Sequence, residues 1–102
     1  MKTRVRIGSQ VENFVGALAP EPRRMVRQAL KGLAEHKGDT RQLEGKLAGL
    51  WRLRVGRIRV IYEIKAARGE RVFFCFYANY RPVSYLILEQ LLASGLVEEI
   101  KN

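Results

Sequence analysis

Trp51-Arg52-Leu53-Arg54-Val55-Gly56-Arg57-Ile58-Arg59-Val60-Ile61-Tyr62-Glu63-Ile64 alternates strictly in side-chain character on either side of Gly56-Arg57. Alternation at period two predicts half-buried strands, and a glycine at the first central position of a two-residue loop predicts a tight hairpin between them. That turn fixes the register: Val55 pairs with Ile58, Arg54 with Arg59, Leu53 with Val60, Arg52 with Ile61 and Trp51 with Tyr62. Trp51, Leu53, Val55, Ile58, Val60, Tyr62 and Ile64 then share the face that packs on helices. Arg52, Arg54, Arg59 and Ile61 share the other. Arg54 directly faces Arg59, and like charges across a strand pair cost a few tenths to about 1 kcal/mol, so folding alone does not choose this arrangement. Two accounts fit it: a solvated face on which long side chains splay apart, or a surface whose guanidinium forks receive phosphate oxygens.

Outward from the hairpin, Val72 to Ala78 is apolar at every position, which predicts an interior strand covered on both faces. Thr3-Arg4-Val5-Arg6-Ile7 alternates and predicts a first strand. Ser9 and Glu12 have capping-box spacing, and Val11, Phe14, Val15 and Leu18 follow at helical spacing. Pro22 suits the first turn of a second helix, whose stripe is Met25, Val26, Ala29, Leu30 and Leu33, with Gly38 as the residue after its end. Residues 38–49 read as a loop. Val83 to Leu92 reads as a C-terminal helix closed by Ser94-Gly95, and 96–102 is left unassigned. The order is β-α-α-β-β-β-α. It predicts an α+β fold: a small antiparallel sheet with an N-terminal αα-hairpin packed on one face and a C-terminal helix, the helices gathered on that one face.

The chain has 102 residues, 19 of them Lys or Arg against 10 Asp or Glu, for a formal charge of +9. That length predicts a single domain over 1–102, and 47% hydrophobic residues exclude wholesale disorder. One cysteine and one histidine offer neither an intrachain disulfide nor a Cys/His zinc set, so no metal or other cofactor is expected. A polar start and no long apolar run predict a soluble, cytoplasmic protein. The positive field favours polyanions, nucleic acid first, with an anionic membrane or an acidic protein as alternatives.

Glu63 lies on the arginine face, as a salt-bridge partner or a general base. His36 reads as a cation at a helix C-terminus. Cys75, between Phe74 and Phe76, reads as a small buried hydrophobe. Arg81 and Tyr85 straddle the end of the interior strand and the start of the last helix, with Tyr85 either reaching the same sheet edge or filling core.

The run from Leu43 to Ile64, with Tyr80-Arg81-Pro82-Val83-Ser84-Tyr85, resembles the signature of the RelE/ParE superfamily of toxins from type II toxin–antitoxin systems. RelE-like members are metal-independent endoribonucleases that enter the ribosomal A site and cut messenger RNA, whereas ParE-like members poison DNA gyrase by binding. The resemblance implies one of these, or a catalytically decayed member held by its antitoxin. It carries the RelE-like basic positions onto Arg52, Arg54, Arg59 and Arg81, and the late tyrosine onto Tyr85. Arg59, Arg81 and Tyr85 would be catalytic and Arg52 and Arg54 would bind the RNA backbone. Well-studied RelE nucleases carry lysines before the turn, where this chain has Arg52 and Arg54, which do not readily release a proton near neutral pH. The implied partners are ribosome, messenger RNA and a cognate antitoxin with an acidic or amphipathic segment, in a heteromeric complex.

Overall fold

In the computed structural model, which describes residues 2–81 and 84–94, five strands form one sheet in the order β1-β5-β4-β3-β2. The strands are β1 (Lys2–Ile7), β2 (Asp39–Gln42), β3 (Trp51–Val55), β4 (Ile58–Ala67) and β5 (Glu70–Tyr80). The helices are α1 (Ser9–Gly16), α2 (Pro20–Leu33) and α3 (Ser84–Ser94), with a 3-10 turn at Gly45–Leu47. The α+β class stands, and the β3–β4 register is the one the hairpin sequence predicts, pair for pair. The expected Gly95 stop and the 96–102 tail lie outside the described residues.

The sheet has two cores because β4 and β5 are apolar on both sides. Val11 and Val15 of α1 and Val26, Leu30 and Leu33 of α2 pack on Leu53, Val60, Tyr62, Phe73 and Cys75. On the opposite face Leu88 of α3 and Leu47 of the 3-10 turn pack on Ile61, Phe74, Phe76 and Tyr77. The helices are therefore divided between the faces rather than gathered on one. Phe76 and Tyr77 lie in the same cluster because the β4–β5 ladder slips between Ile61, paired with Tyr77, and Tyr62, paired with Cys75. Phe76 is the extra residue of a bulge.

Four further expectations are corrected. The sheet is mixed, because β1 runs parallel to β5, with the α1–α2 pair following β1. Where a loop was expected within 38–49, β2 forms an edge strand on β3; its four residues are all exposed, so no apolar alternation announces it. α1 begins at Ser9, yet Gly8 takes the N-cap position and no side chain caps it. Gly8 donates its N–H to Cys75 O at 2.8 Å, and a Cβ there would stand 3.3 Å from that oxygen and from the Phe74 ring. Finally, α2 ends at Leu33, with His36 rather than Gly38 supplying the nearest left-handed residue, at φ 60°.

Beyond the end of β1, Gln10 continues the pairing on β5 with its amide, accepting from Ala78 N at 2.7 Å and donating to Ala78 O at 2.8 Å. This satisfies backbone groups that the departing strand would otherwise leave open.

Candidate nucleic-acid interface

Residues directly opposed in a sheet point to the same face. The three antiparallel registers therefore lay Asp39, Arg54, Arg59 and Asn79 in one row across β2, β3, β4 and β5. The next row is Arg41, Arg52, Ile61 and Tyr77. Ile61 and Tyr77 belong to the core under α3, so the basic side chains occupy the part of this face toward β2 and the hairpin turn.

The arginines do not form one open cluster. Arg54 Nε meets Asp39 Oδ2 at 2.6 Å, and Arg52 Nη1 meets Oδ1 at 3.0 Å and donates to Asp39 O at 2.9 Å. One carboxylate joins both guanidinium groups. The Arg52 hydrogen bond and the Arg54 charge hold the Asp39 carboxyl below the usual carboxylate range. Arg59 is buried, at 6% exposure, and its Nη1 donates to Gly56 O at 2.9 Å and Ile58 O at 3.2 Å. It ties down the hairpin turn from within. Asn79, at the end of the row, donates Nδ2 to Tyr77 Oη at 2.9 Å and accepts from Tyr80 N at 2.8 Å.

Arg81 follows β5 directly and is exposed, and its backbone N donates to Arg57 O at 2.9 Å. The strand end is thereby fastened to the hairpin tip. Arg57 itself lines an apolar groove of about 260 Å³ that includes Met25, Val55, Ile58 and Tyr80.

No protein-family model and no curated protein sequence matches the chain. Solved structures do. A RelBE2 toxin–antitoxin complex from Mycobacterium tuberculosis aligns at TM-score 0.63 and 23% identity, covering 79% of this chain and 100% of that one. An archaeal RelE–RelB complex from Pyrococcus horikoshii aligns at 0.60 and 26%, covering 82% and 100%. A YoeB/ParE toxin from Agrobacterium tumefaciens aligns at 0.59 and 17%, covering 76% and 98%. The chain shares its fold with these RelE and YoeB/ParE toxins.

Within this RelE/ParE fold, the predicted site residues fall in three settings. Arg52 and Arg54 share Asp39 on the sheet face, Arg59 is buried behind the turn, and Arg81 is open at the strand end. Tyr85 lies in α3, and its side chain is outside the described part of the structure. Glu63 is half-buried on β4, opposite Phe74. His36 stands edge-on to Phe73 with ring centroids 6.1 Å apart, at a cavity of about 300 Å³ that Arg71 also lines, on the α2 face of the sheet and not among the arginine rows. Cys75 is fully buried, and burial pushes its thiol up to about 12.

Sequence reasoning missed Asp39, Arg41 and Asn79, which all sit in the two rows. A signal for the first was available. Two arginines pointing the same way from β3 require a counter-charge, and residues 38–49 contain just two acids, Asp39 and Glu44.

Proposed function

We propose that this chain is a RelE/ParE-superfamily member, the toxin of a type II toxin–antitoxin system, and that it cleaves messenger RNA in the ribosomal A site. The observation that carries this reading is the placement of Arg54 and Arg59 in one row, with Arg41 and Arg52 in the next and Arg81 fastened to the tip of the same hairpin. Five cations thus lie within one hairpin and its flanks, and all but the buried Arg59 are at least partly open to a polyanion's phosphates.

Cleavage requires the ribose 2′-oxygen to form a bond to the adjacent phosphorus while the bond to the 5′-oxygen breaks. The hydroxyl proton is lost and the leaving oxygen gains one. Arginines serve this reaction through charge: Arg81, exposed at the strand end, meets the developing negative charge on the phosphorane, and Arg52 and Arg54 hold the backbone. Arg59 adds a buried positive charge behind the turn and holds the tip in shape. Tyr85 is assigned the stacking of a base or the activation of the 2′-hydroxyl.

The partner is an antitoxin whose acidic or amphipathic segment covers the basic face, since a charge of +9 favours an acidic cover. Two of the structural neighbours are themselves toxin–antitoxin complexes, which supports a partner of this kind. Action on ribosomes places the chain in the cytoplasm. No helix among the described residues is long and apolar enough to cross a membrane.

Primer extension on messenger RNA held on ribosomes with an empty A site tests the proposal, with naked RNA alongside. Wild type is expected to cut within the A-site codon and Arg81→Ala to leave the message intact at equal thermal stability. Intact message with both proteins would remove the nuclease reading and leave gyrase poisoning as the next activity to assay.

A further inference from the structure

Asp39 stands in relation to Arg52 and Arg54 as a bound phosphate would. Its two carboxylate oxygens bridge two guanidinium groups, at 3.0 Å to Arg52 Nη1 and 2.6 Å to Arg54 Nε, the pattern in which phosphate oxygens also join arginine forks. The carboxylate has room to leave. It belongs to an edge strand of four exposed residues, its own side chain is 44% exposed, and no core packing depends on it. Arg52 has less freedom to follow, its side chain being 13% exposed; Arg54, at 53%, is open to an incoming anion, and the β3 ladder sets where both side chains start.

We propose that Asp39 is an internal competitor, a specificity-determining residue whose carboxylate fills the Arg52–Arg54 anion clamp in the free protein and is displaced by a phosphodiester of the bound RNA. The inference rests on the reading of this face as a phosphate-binding surface, and it adds a discrimination that reading lacks. A free RNA strand touching only this clamp exchanges one anion for another and gains little. A strand already held by other contacts brings its phosphate in at high effective concentration and displaces the carboxylate. The clamp therefore favours positioned RNA over free RNA.

Fluorescence anisotropy with a fluorescein-labelled oligouridylate, 2′-O-methylated throughout so that it cannot be cut, tests the competition at fixed salt. Asp39→Asn is expected to bind about threefold tighter than wild type, the range set by an exposed ion pair, and Arg54→Ala to bind more weakly. Binding by Asp39→Asn that is equal to or weaker than wild type would overturn the proposal and make Asp39 a prop that aims the arginines, with the phosphate surface intact. Absence of binding by every variant, wild type included, would overturn both the competitor and the surface.

A second measurement uses the wild-type chain alone. Titration with inorganic phosphate is expected to move the Arg54 Nε–H and Asp39 carboxyl signals together in NMR spectra. Movement of the first without the second would refute displacement.

Discussion

Arg54 and Arg59 stand directly opposite each other across the β3–β4 hairpin, yet their guanidinium groups are satisfied by different partners. Arg54 is held at 2.6 Å by Asp39 on β2, while Arg59 is buried and bonded to Gly56 O and Ile58 O. The like-charge pair that looks unfavourable in sequence is thus resolved by dividing the two side chains between a counter-ion and a turn.

Arg59 is accordingly a stability residue whatever else it does. Arg59→Met keeps much of the buried volume and removes both hydrogen bonds to the turn, so it should cost roughly 1–3 kcal/mol in urea unfolding. An unchanged midpoint would mean that the two carbonyls find equivalent donors once the guanidinium is gone.

The β4–β5 turn offers the opposite sign. Arg68 and Gly69 both have positive φ, 52° and 76°, the signature of a type I′ hairpin loop, and Arg68 is not a residue that adopts it readily. Asparagine does. Arg68→Asn should raise stability by roughly 0.5–1 kcal/mol, and a thermal melt in which the variant unfolds earlier than wild type would contradict the strain argument.

Acid should release the Asp39 clamp. Because the folded-state value is depressed, the stabilisation it contributes is complete above the ordinary carboxylate value of about 3.9 and is lost as pH falls through the lower folded value. The stability difference between wild type and Asp39→Asn should therefore be constant near neutrality and shrink below about pH 4. A difference that stays flat into that range would show that the carboxylate gains nothing from the arginines in solution.

The hairpin and the interior strand were legible because each follows a single physical rule, period-two alternation for one and continuous apolarity for the other. β2 was not, since Asp39–Gln42 buries nothing and is held by a backbone ladder and by ion pairs to residues on β3. The same blindness hid the site's counter-ion: Arg52 and Arg54 were evident as a pair, but what satisfies them lies on a strand that sequence pattern does not mark. Parallel pairing of β1 was equally silent, because alternation in Thr3 to Ile7 fits either direction. Burial of Arg59 was concealed by its place among outward-facing positions, where only the turn carbonyls explain why it folds back.

The bulge at Phe76 has a consequence for which side of the sheet the end of β5 addresses. Before it, Phe73 and Cys75 face the α1–α2 core; after it, Ala78 does, so odd-numbered positions give way to even ones. Asn79 joins the arginine row only because of that change of parity. Were Phe76 held in regular alternation instead of bulging, Asn79 would turn toward the α1–α2 core and Ala78 toward the arginines. One supernumerary residue, placed between the aromatic half of a strand and its polar end, thus decides which chemistry each side of the molecule displays.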